Sequence, residues 1–139
     1  MSETTLDSTI IETETVRKYF ETFNAGNFEA TAQLFTADAV MHAPFKTEVV
    51  GDEAIANYLQ TQAKGMEAVP QNVTTQPLEG GATEAQVTGY AKFAGFKVNI
   101  AWTFQLDQAQ EITDIEIKLV ASAQELLKMR GAQPQQDIQ

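Results

Sequence analysis

The chain has 139 residues, 43% of them hydrophobic and 20% charged, and its 19 acids against 9 bases give a formal net charge of −10. That length suits one ordinary domain with a core of its own. The charge speaks against a nucleic-acid partner, which begins with a basic footprint, and disfavours docking on anionic headgroups by charge alone. The chain contains no cysteine, so disulfides, thiolate nucleophiles and zinc ribbons are excluded.

Residues Met1 to Thr9 are polar and acidic, without the basic start and apolar stretch of a signal peptide, and no apolar run reaches the length of a membrane span. A cytoplasmic protein is expected. Three parts are expected along the chain: a loose tail over 1–9, one domain over 10–130, and a Gln-rich loose tail over 131–139.

The spacing of Val16, Tyr19, Phe20 and Phe23 predicts a helix over Ile11 to Phe23, ended by Asn24 to Asn27 with Gly26 as its left-handed residue. Phe28 to Phe35 reads as a second short helix and Ala39 to Ala43 as a strand. Gly51-Asp-Glu-Ala opens a third helix that runs to about Gly65, with Ile55, Tyr58, Leu59 and Met66 on its buried side. After Pro70 the texture changes. Asn72 to Pro77, Thr83 to Phe93, Phe96 to Leu106 and Ile112 to Val120 are β-branched and alternate, joined by turns at Gly80-Gly81, Ala94-Gly95 and Asp107 to Gln110. Ser122 caps a last expected helix, Ala123 to Arg130, with Glu125 completing a capping box. Helices followed by an antiparallel meander predict an α+β layer fold, a bent sheet on three helices around an apolar cavity.

Few residues could carry chemistry. His42 is the only histidine, so no histidine pair and no metal triad can be built from it. Its strand position leaves both pocket and solvent open. From Ala91 to Thr103 there is no Asp or Glu, so a paired-carboxylate mechanism lacks its second member. No phosphate-loop signature occurs. Tyr19 and Trp102 stand out: each has an apolar body on a buried face and one donor that needs a partner when buried. Two readings stand at this level. Both are core aromatics bonded to backbone, or both donors converge on one acceptor of a mostly apolar ligand.

Residues Val16 to Phe28, Leu34 to Ala39 and Val50 to Glu53 resemble motifs of the nuclear transport factor 2-like superfamily. Three further stretches resemble the C-terminal domain of the cyanobacterial orange carotenoid proteins and its stand-alone homologues. They are Ala43 to Lys46 with Val49 to Gly51, then Val98 to Phe104 (Val-Asn-Ile-Ala-Trp-Thr-Phe), then Ile117 to Leu127 with its Ala-Ser-x-x-Glu-Leu-Leu run. The likeness spans about Val16 to Arg130. It implies a conical α+β fold and a non-covalent ketocarotenoid, echinenone- or canthaxanthin-like. Tyr19 and Trp102 would hold its keto oxygen, and Met66, Val69, Ile117 and Leu119 would line the tunnel. It further implies a homodimeric carrier with a role in photoprotection by quenching singlet oxygen or excited states. A helical carotenoid-domain protein is the implied transfer partner, with transient contact at thylakoid membranes.

This chain also departs from that family. The Ala94-Gly95 turn is shorter than the family's corresponding loop, which brings a Pro-Trp pair to the tunnel, and the cysteine that controls dimer state in some homologues is missing. Ketosteroid isomerases of the same superfamily share a tyrosine matching Tyr19. Their base is an Asp before a Pro where this chain has Ala43-Pro44, and their second oxyanion donor is an Asp in an acid-free strand here. A lyase- or polyketide-cyclase-like activity through His42, or an interaction module whose sheet face dimerises or docks a partner, are the alternatives.

Overall fold

The computed structural model describes residues 13–120. Three helices precede most of one six-stranded sheet. Helix α1, Glu14–Asn24, buries Val16, Tyr19, Phe20 and Phe23 on one stripe, while Arg17 and Glu21 pair at 3.0 Å on its exposed side. Gly26 follows at φ +76, a left-handed conformation that ends the helix without the Cβ clash other residues meet. Asn27 then caps helix α2, Phe28–Ala32, by accepting from the Ala30 N–H. The hydroxyls of Thr22 and Thr31, 2.7 Å apart, tie the two helices together. Helix α3, Asp52–Gln62, buries Ile55 and Leu59 and starts with two acids in its first turn, where they favour the helix dipole.

The strands are β1 (Phe35–Ala43), β2 (Thr47–Val50), β3 (Glu67–Pro77), β4 (Thr83–Phe93), β5 (Phe96–Leu106) and β6 (Ile112–Val120). Their order across the sheet is β2-β1-β6-β5-β4-β3. The run β3 to β6 is the expected antiparallel meander, but β1 joins β6 in parallel, so the sheet is mixed rather than antiparallel throughout. Register shifts fall at Phe35/Val40, Pro70/Asn72 and Gln105/Leu106. Each inserts backbone on one strand and bends the sheet.

The inner face carries Met41, Val87, Trp102, Phe104 and Ile115, which form one hydrophobic core with Val16, Tyr19, Phe20, Phe23, Ile55 and Leu59 of the helices. Tyr19 and Phe104 meet edge to face with centroids 5.1 Å apart. Gly89 lets β3 cross close by: a Cβ there would run into the Val69 carbonyl oxygen.

Several boundaries differ from expectation. The second helix stops at Ala32, and the strand expected from Ala39 starts at Phe35. Pairing with β6 (the Ile112 N–H donates to the Leu34 carbonyl at 2.9 Å) overrides local helical preference. The third helix ends at Gln62, short of Gly65, whose φ of +86 belongs to the turn. Strand β3 begins at Glu67, not Asn72, because a register shift just past Pro70 accommodates the proline. Strand β2, an edge strand of four residues, was not expected. The expected helix Ala123 to Arg130 and both tails lie outside the described residues.

No helix is long and apolar enough to cross a membrane, and no cluster of three or more His, Cys, Asp or Glu could hold a metal ion, both among the described residues.

Candidate ligand pocket

Between the helices and one end of the inner sheet face lies a cavity of about 330 Å³. Its walls come from α1 (Tyr19, Phe23), α3 (Tyr58, Leu59, Gln62) and the loop beyond it (Ala63, Met66), from the β1–β2 turn (Pro44, Phe45), and from β4, β5 and β6 (Ala91, Phe93, Phe96, Val98, Ile100, Trp102, Ile117, Leu119). Strand alternation explains the set. In the ladder Trp102 stands opposite Val87 and Ile117, and Ile100 opposite Gly89 and Leu119, so these residues share one face.

Tyr19 and Trp102 are both in this wall and both buried, at 0% and 3% exposure. Phe20 packs edge-on against both rings, with centroids 5.2 Å from Tyr19 and 4.9 Å from Trp102. The Tyr19 hydroxyl is fully buried and has no hydrogen-bond partner among the described residues. Burial in these apolar surroundings pushes its phenol well above the usual tyrosine range. A buried hydroxyl left without a partner costs about 1–3 kcal/mol, and nearly all buried polar groups avoid that cost.

Of the other side chains expected at the pocket, Met66, Ile117 and Leu119 line it, and Val69 does not. Val69 pairs with Tyr90, whereas its neighbour Ala68 pairs with Ala91 and lines the wall. The period of two therefore puts Ala68, not Val69, on the pocket side. Tyr58 and Gln62 were missed. Their separation of four residues on α3 was the available signal, but the pattern there was read for core alone. Tyr58 is moved upward by burial, in the same direction as Tyr19.

His42 stands elsewhere, half-exposed on the outer face. Its Nε2 lies 3.2 Å from Asp114 Oδ1 and its Nδ1 lies 3.6 Å from Glu48 Oε2, so it bridges β6 and β2. Two larger open hollows, about 720 and 710 Å³, have mixed polar and apolar walls, and the first shares Phe45, Ile117 and Leu119 with the enclosed cavity. One lies beside His42, Lys46, Glu48 and Glu116, the other on the outer face among Asn72, Thr74, Gln86, Thr88 and Thr103. Neither is lined by Tyr19.

The chain is 33% identical over 117 residues to the orange carotenoid-binding protein of Synechocystis sp., a match over 81% of this chain and 37% of that protein. It is 29% identical over 123 residues to the orange carotenoid-binding protein of Limnospira maxima, over 86% of this chain and 39% of the relative. The chain thus spans well under half the length of these curated relatives. Among solved structures, the orange carotenoid protein of Anabaena (Nostoc) sp. PCC 7120 binding canthaxanthin superposes with a TM-score of 0.76 at 30% identity, over 82% of this chain and 38% of that one. Residues 11–115 match the nuclear transport factor 2 (NTF2) domain, and the chain belongs to that family.

Proposed function

We propose that the pocket binds one end of a ketocarotenoid, echinenone- or canthaxanthin-like, and that the protein carries this pigment and takes part in photoprotection. The observation that carries the reading is the Tyr19 hydroxyl, buried without a partner in the wall of an apolar cavity. A keto oxygen is the acceptor such a donor lacks, and a polyene is what the remaining wall suits. The fit holds at the level of this chain's own residues: Tyr19 donates to the keto oxygen, and the Trp102 indole N–H is the second donor. Met66, Ile117, Leu119 and their apolar neighbours exclude water. When bound, the pigment supplies the conjugated chain that absorbs light. Canthaxanthin, bound by the Anabaena relative, is a ketocarotenoid, which agrees with this assignment.

A volume of about 330 Å³ is at the small end of ligand sites and houses a ring and the first part of a polyene. The rest of the pigment has to lie outside one subunit. A homodimer gripping both ends, or hand-over to a helical carotenoid-domain protein, would cover it. Acid–base chemistry is less well supported. The described wall offers no carboxylate and no imidazole, and His42 is engaged with Asp114 on the other face.

The test is expression of the chain in hosts that make a ketocarotenoid or only a carotenoid hydrocarbon. The expected outcome is a coloured protein from the first host and a colourless one from the second. Colourless protein from both, with the fold intact by circular dichroism, would remove the assignment.

A further inference from the structure

Four side chains in the cavity wall carry an N–H or O–H group: Tyr19, Tyr58, Gln62 and Trp102. They fall into two pairs. Tyr19 on α1 and Trp102 on β5 both meet the Phe20 ring edge-on. Tyr58 and Gln62 come from α3, four residues apart and hence neighbours on one helix face.

The second pair departs from the pattern of its helix. Ile55, Leu59 and Gln62 stand at i, i+4 and i+7, the stripe that a helix lays on its core. Ile55 and Leu59 are buried and apolar, whereas Gln62 is exposed and faces the cavity. The stripe therefore runs off the packed core and onto the cavity at its last turn, and there it turns polar. Tyr58 stands beside it, partly buried, with its ring against the core. Burial pushes its phenol upward. Thr61 donates to the Tyr58 backbone carbonyl at 3.1 Å, but neither the Tyr58 hydroxyl nor the Gln62 amide has a hydrogen-bond partner among the described residues.

The two pairs also differ in chemistry. An indole N–H only donates, and the Tyr19 hydroxyl has its proton to give. Together they suit an oxygen that only accepts, which a keto group provides. A phenol and a carboxamide each donate and accept, so Tyr58 and Gln62 suit a hydroxyl, which does both. The wall holds no Asp, Glu, Lys, Arg or His side chain, so an ionised group would be buried there without a counter-charge. A cavity of about 330 Å³ brings both pairs to bear on the same end group.

We infer that Tyr58 and Gln62 form a second polar subsite, which reads a hydroxyl on the ring whose keto oxygen meets Tyr19 and Trp102. The preferred ligand then ends in a hydroxylated keto ring. This inference rests on the ketocarotenoid reading and narrows it. Tyr58 carries more of the discrimination than Gln62, because a hydrogen bond is stronger where water is excluded.

The experiment is titration of the pigment-free chain with two pigments. Astaxanthin carries a hydroxyl beside the keto group on each ring, and canthaxanthin carries the keto group alone. Wild type should bind astaxanthin about five- to tenfold more tightly. Tyr58→Phe should remove most of that preference and leave canthaxanthin affinity within about twofold. Gln62→Leu should reduce the preference less, and Gln60→Ala, on α3 but outside the wall, should keep it. Tyr19→Phe should weaken both pigments alike. Circular dichroism checks the fold of each variant. Equal affinity of wild type for the two pigments, or a preference that Tyr58→Phe retains, overturns the inference and leaves the ketocarotenoid reading standing. Loss of both pigments in Tyr58→Phe would make Tyr58 a packing residue of the wall and overturn it equally. A wild-type chain that binds neither pigment would remove the ketocarotenoid reading and this inference together.

Discussion

The two faces of strand β5 are built from adjacent residues and do different work. Ile100, Trp102, Phe104 and Leu106 point inward and are at most 8% exposed, while Asn99, Ala101, Thr103 and Gln105 point outward and are only partly buried. The inner row is itself divided. Phe104 and Leu106 are packed solid beneath the helices, and Val98, Ile100 and Trp102 line the hollow. Packed core and pocket wall are thus separated along a strand, with the Tyr19 ring at the boundary: packed on Phe104 on one side, in the pocket wall on the other.

The largest expected effect is on the packed end. Phe104→Ala should destabilise the chain by about 3–5 kcal/mol in chemical denaturation, because a fully buried ring leaves a cavity. Thr103→Ala, one residue away on the outer face, should change stability by less than about 1 kcal/mol. Equal losses would erase the distinction between faces. Next comes the approach of β3 at Gly89, where a Cβ would meet the Val69 carbonyl carbon at 3.0 Å and Pro70 Cα at 2.9 Å, besides the still closer oxygen. Gly89→Ala should cost about 1–3 kcal/mol or more, since backbone must shift to admit it; a silent substitution would mean that β3 yields freely.

At the boundary the sign reverses. Tyr19→Phe deletes a buried hydroxyl that has no partner, so the pigment-free protein should gain about 1 kcal/mol. It should also lose part of its alkaline sensitivity. The folded phenol titrates above its unfolded value of about 10, so above that pH the unfolded chain sheds a proton the folded one keeps. Stability present below pH about 10 therefore falls as pH rises, and the fall should be shallower in Tyr19→Phe. Tyr58 shifts the same way and contributes to both proteins alike. The smallest effect belongs to the outer face: His42→Ala removes half-exposed contacts to Asp114 and Glu48 and should cost less than about 1 kcal/mol in denaturant.

Local pattern carried much of this. The stripe Val16, Tyr19, Phe20, Phe23 and the alternation of β5 gave helix face and strand face from spacing alone, because periodicity reflects burial directly. Elements whose stability comes from distant partners were not legible. Strand β1 reaches back to Phe35 because β6 pairs with it, and its parallel direction follows from a crossover that no local residue encodes. Strand β2 is too short to show a period. At the pocket, Tyr19 and Trp102 were visible as amphipathic aromatics on buried faces. The placement of Val69 was not, since it depends on the register that β3 takes against β4 around Pro70. That Phe45 is exposed at a left-handed turn is likewise a property of the hairpin, not of the residues beside it.

The central claim is that the unpartnered Tyr19 hydroxyl is kept for a keto oxygen, and titration of the purified chain and its Tyr19→Phe variant with a ketocarotenoid tests it most directly. The account predicts that the variant, though more stable when empty, binds about tenfold more weakly, as expected for a lost hydrogen bond to a buried acceptor. Its absorption band should also lie to the blue of wild type, because one donor no longer polarises the polyene. Equal affinity and an unshifted band in the variant would contradict the claim and leave Tyr19 as a core aromatic.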